Sequence, residues 1–139
     1  MVEKKVAYVG RHRLLSLQDR ALSELGFSIV KTVENLPTDP RELNTLLDQL
    51  KEEGIEAIIT VALPPNLLAM LSSKFPLYVF EMRSTTFSSL EDAERWASEK
   101  PEARTYLSGR AGEPIRAMEF MGINKVKVTI TSEKVYEVS

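Results

Sequence analysis

Two rhythms of apolar and polar positions take turns along this chain. Lys5-Val6-Ala7-Tyr8-Val9 runs apolar from Val6 onward, the pattern of a strand covered on both faces in a parallel sheet. Leu14, Leu17, Ala21, Leu22 and Leu25 then recur at helical spacing, with Ser16 and Asp19 placed as a capping box at the start and Gly26 at the end. Residues 27–33 predict a second strand. Asp39-Pro40-Arg41-Glu42 reads as a helix start: an aspartate cap, proline at the first helical position and an acid in the first turn. Leu43, Leu46, Leu47 and Leu50 supply the buried stripe of that helix, and Gly54 closes it.

Residues 55–61 predict a third strand, 67–73 a short helix and 77–82 a fourth strand. The hydroxyl-rich stretch 83–89 reads as a loop, and Ser88 with Glu91 caps a helix carrying Leu90, Ala93, Trp96 and Ala97 on one face, closed by Pro101. Residues 102–113 show no clear period. Pro114 predicts the start of a short helix with Ala117, Met118 and Met121 on one side and Gly122 at its end. Val126, Val128 and Ile130 alternate with polar residues, which predicts a half-exposed strand, with 134–138 as its hairpin partner.

At Gly26, Gly54 and Gly122 the same punctuation recurs: a helix, a glycine, an apolar residue and a strand. Alternating strands and helices predict an α/β fold. The expectation is a three-layer sandwich on a mostly parallel, Rossmann-like or flavodoxin-like sheet, with a C-terminal β-hairpin at one edge, as one domain over 1–139.

Composition narrows the chemistry. The chain has 139 residues, no cysteine and one histidine, so thiolate catalysis, disulfides and thiolate metal sites are excluded, and no metal site is expected. A net charge of −2 gives no overall attraction to extended nucleic acid, and no apolar run is long enough for a membrane span, so a cytoplasmic protein is expected. The positive charge is concentrated in two stretches. Residues 3–13 hold Lys4, Lys5, Arg11 and Arg13 against Glu3, and residues 104–116 hold Arg104, Arg110 and Arg116 against Glu113.

Ligands of open α/β sheets bind beyond the strand C-termini, where the strand order reverses. On that edge Gly10-Arg11-His12-Arg13 follows the first strand: a glycine for close backbone approach, two arginine forks for a phosphate or carboxylate, free N–H groups of the next helix, and a histidine able to act as acid, base or donor. His12 is the candidate catalytic residue. Arg83, Ser84 and Thr85 follow the fourth strand with hydroxyls and charge suited to ribose or phosphate. Arg110, between Gly109 and Gly112, could clamp the same anion. Neither GxGxxG nor a P-loop is present, so no cofactor is expected.

With its two basic loops, the layout is similar in outline to small nucleotide-sensing Rossmann-like domains of the CRISPR-associated type, which bind cyclic oligoadenylates and in some cases cleave them. The expected function is binding of a small phosphorylated or nucleotide ligand. The alternatives are a phosphodiesterase acting on a cyclic nucleotide, as the ring nucleases of that group do, and an assembly or adaptor subunit. A homodimer formed through the terminal hairpin is expected.

Overall fold

The computed structural model describes residues 3–107 and 111–139. Its order is β1 (Lys4–Val9), α1 (Ser16–Glu24), β2 (Phe27–Val33), α2 (Pro40–Glu52), β3 (Ala57–Thr60), α3 (Pro65–Lys74), β4 (Leu77–Phe87), α4 (Leu90–Glu99), β5 (Arg104–Leu107) and β6 (Ile115–Val126). The strands form one sheet in the order β2-β1-β3-β4-β6-β5.

β1 lies between β2 and β3, and β3 beside β4, all parallel. β6 then runs antiparallel to both β4 and β5. The sheet is therefore mixed, not mostly parallel as the sequence predicts. The reason lies in two segments. β4 does not stop at Met82 but continues through Arg83, Ser84, Thr85 and Thr86 to Phe87, and its whole length pairs with β6. The expected helix from Pro114 is strand from Ile115 onward, and Gly122 sits inside that strand opposite Glu81.

The C-terminal hairpin is also absent from its expected place. Val126 is the last residue of β6 and pairs with Leu77, the first residue of β4, so the alternating residues after it run past the end of their neighbour strand. Residues 127–139 carry no regular element; Val128 is held by its N–H, which donates to Ser72 Oγ at 3.2 Å. The hairpin at the sheet edge is β5–β6 instead.

Two apolar layers hold the helices to the sheet. Ala7 and Val9 of β1, Ile58 and Leu77 pack with Leu43, Leu47 and Leu50 of α2 and Leu71 of α3. On the opposite face Val6, Tyr8, Ile59, Phe80 and Phe120 pack with Leu22 of α1. Strand alternation keeps Phe87 on the same face as Leu77, and there it meets Trp96 of α4 with ring centroids 5.6 Å apart. Among the described residues three helices thus cover one face and α1 alone the other. Among the described residues no helix is long and apolar enough to cross a membrane.

The helix ends follow local chemistry. Asp39 accepts a hydrogen bond from the Arg41 N–H at 2.8 Å, as the sequence predicts. Two caps fall one residue later or earlier than the sequence suggests. Ser89, not Ser88, accepts from Asp92 N–H, and Leu15, not Ser16, occupies the α1 cap. Gly26 and Gly54 adopt φ of 76° and 89° at the two helix-to-strand turns, a conformation that costs other residues energy.

Candidate functional site

The strand order reverses between β1 and β3: from β1 the chain winds one way through α1 to β2, then crosses back through α2 to β3. Beyond the C-termini of these strands lies a cavity of about 630 Å³. It opens on the α1 face, the place an open α/β sheet reserves for ligands. The loop after β1 contributes His12, Arg13, Leu14 and Leu15, and the loop after β3 contributes Val61 and Ala62. Tyr8, Phe80 and Met82 rise from the sheet, and Ser84, Thr105, Arg116 and Met118 come from the β4–β6–β5 extension.

The floor and rim differ in character. Tyr8, Phe80 and Gln18 are buried, Met82 and Met118 half-buried, while His12, Arg13, Ser84 and Arg116 are exposed. The floor is aromatic and thioether; the rim is cationic and hydroxylic. His12, Arg13 and Arg116 make no salt bridge among the described residues, and Glu81 is the sole carboxylate among the described lining residues.

Gly10 makes room for a neighbouring side chain. A Cβ at position 10 would lie 2.5 Å from the Tyr8 hydroxyl and 2.7 Å from its ring, so the residue must be glycine for the phenol to fold over it. That hydroxyl donates to the His12 carbonyl at 3.0 Å, which ties the loop to the strand. Burial pushes the Tyr8 phenol above its usual pKa, so it stays neutral and keeps donating.

The other expected site residues divide. Arg11 turns away from the cavity and donates from Nε to Asn35 Oδ1 at 3.0 Å, at the side of a separate groove that also holds Gly10, Thr32 and Glu34. Arg83 and Thr85 belong to the other face of β4, since they pair with Glu119 and Ala117, and only Ser84 of that trio reaches the cavity. Arg110 lies outside the described residues. Two N–H groups at the start of α1 are already taken: Leu15 donates to Gln18 Oε1 at 2.7 Å and Leu17 to the Glu102 carbonyl at 3.0 Å.

Gln18, Thr105, Arg116 and Met118 are among the lining residues that reading by motif misses. Gln18 leaves one trace in the sequence. It breaks the apolar row Leu14-Gln18-Leu22 along the α1 face that packs on the sheet. Arg116 and Met118 become neighbours of Ser84 only through the antiparallel register of β4 and β6.

No group of three or more histidine, aspartate and glutamate side chains suited to a metal ion occurs among the described residues. Comparison with known proteins finds no matching family model, no similar curated protein and no similar solved structure. Fold and cavity geometry therefore carry the functional reading alone.

Proposed function

We propose that this chain binds a small phosphorylated or nucleotide ligand in the cavity at the β1–β3 reversal. One observation carries the reading: exposed His12, Arg13 and Arg116, without ion-pair partners among the described residues, surround a buried apolar floor. Such a floor accepts a ring or hydrocarbon body, and the arginine forks suit the oxygens of a phosphate. The strand order β2-β1-β3-β4 is also that of flavodoxin-like sheets, which use the same crevice.

Calorimetric titration with nucleoside 5′-monophosphates and ribose 5-phosphate tests the proposal. Arg13→Ala and Arg116→Ala should each weaken binding about tenfold, the usual effect of losing a charge-assisted hydrogen bond. Lack of binding by every phosphate, or equal affinities in both variants and the wild type, overturns it. His12 also lines the cavity, so turnover of a bound cyclic nucleotide that disappears in His12→Ala while binding persists would convert the binding protein into an enzyme.

A second reading, self-assembly, has its own observation. Val135, Tyr136 and Val138 are 90%, 82% and 84% exposed in a segment without regular structure. Apolar side chains of that size in one short stretch suit contact with a second copy of the chain.

A further inference from the structure

Gln18 is the most deeply placed polar side chain of the cavity, with 4% of its surface exposed. Its amide is oriented by the backbone: Oε1 accepts the Leu15 N–H at 2.7 Å, which fixes Nε2 on the other side. That nitrogen carries two donors, and its partner is the Met82 sulfur at 3.8 Å. A thioether is a weak acceptor. A buried amide donor facing so little is costly unless something better fills the space.

The neighbours decide what fits. Tyr8, Phe80, Met82 and Met118 surround the same space with rings and thioethers. A sugar placed there would bury several hydroxyls against carbon. A heteroaromatic base instead offers two apolar faces and an edge bearing carbonyl or ring-nitrogen acceptors. The cations stand at the exposed rim, where a phosphate keeps its water.

We infer that Gln18 selects the ligand of this cavity, donating to an acceptor on the edge of a nucleobase held against Phe80 and Met82. The bound class is then a nucleotide, base inward and phosphate at Arg13 and Arg116, rather than a sugar phosphate. This rests on the anion-binding reading above and narrows it.

Measuring dissociation constants of ribose 5-phosphate and of the four common nucleoside 5′-monophosphates, for wild type and Gln18→Met, separates the two claims. In wild type the best nucleotide should bind at least roughly tenfold tighter than ribose 5-phosphate, and Gln18→Met should cut that ratio roughly five- to tenfold while leaving ribose 5-phosphate unchanged. Gln18→Glu retains the oxygen that accepts from Leu15, so it should lose the preference with α1 intact by circular dichroism. If ribose 5-phosphate binds as tightly as the nucleotides, the base selection is overturned and the anion site stands. If nucleotides are preferred but the ratio survives both substitutions, the role of Gln18 is overturned. If no phosphate binds, both readings fall together.

Discussion

Gly10 and Tyr8 show how one residue pair sets the shape of a loop. The phenol lies so close to the Gly10 backbone that a single methyl group would displace it, along with its hydrogen bond to the His12 carbonyl. Gly10→Ala should therefore cost about 1–3 kcal/mol, the range for forcing an atom into a packed site. Urea unfolding checks this, and an unchanged midpoint would mean that Tyr8 swings aside freely. The same contact gives the glycine a structural reason of its own. A lone glycine after a strand marks close approach, and here the approaching group is a side chain of that strand.

At the scale of elements, Arg104 of β5 pairs with Glu119 across the hairpin and fastens α4 to it. Arg104 Nε donates to Glu119 Oε1 at 2.6 Å, its Nη1 donates to the Trp96 carbonyl at 2.9 Å, and its guanidinium lies 4.5 Å from the Trp96 ring centroid. The hydrogen bond from Arg104 holds the Glu119 carboxyl below the usual glutamate range and raises Arg104 in return. Glu119 thus binds its proton less readily when folded than when unfolded. Its contribution is complete above the ordinary glutamate range and is lost as pH falls through that range toward the lowered value. Glu119→Gln should be less stable than wild type near neutrality, and the gap should narrow as pH drops into the acid range. Denaturation midpoints across pH test it; a gap independent of pH would remove Glu119 from the acid response.

That pair also accounts for the largest misreading of the chain. Residues 115–126 do not alternate cleanly: a charge occupies one inward position, Glu119 and Phe120 are both buried, and the pairing with β4 slips between Glu81 and Met82. Ala117, Met118 and Met121 consequently fall at helical spacing, and Pro114 looks like a first helical residue. By contrast β2 and the Asp39-Pro40 start of α2 agree with the sequence, because each is set by nearest neighbours. The site divides along the same line. His12 and Arg13 are legible because they follow β1 directly, whereas Arg116 and Gln18 reach the cavity only through long-range pairing and packing.

Across the whole molecule the distribution of helices is unequal. Among the described residues α2, α3 and α4 cover one face, and α1 stands alone on the other. The antiparallel extension of β4 and β6 beyond α1 is what leaves room for the cavity there. The tail is the second uncovered feature. Removing residues 131–139 deletes Val135, Tyr136 and Val138 but none of the side chains of either core cluster. The truncated chain should unfold at the same urea concentration as the full one, and light scattering should report a smaller particle if those side chains join two copies. Equal masses for the two chains would end the assembly reading.

The Tyr8 phenol has a consequence that crosses these scales. One ring is at once a core residue, a wall of the cavity and the latch on the basic loop. If the cavity binds a ligand as proposed, recognition and fold integrity are not separable variables at this end of the sheet. A substitution that merely loosens β1 should register as altered ligand affinity while the chain is still folded, so affinity would serve as a strain gauge for the core.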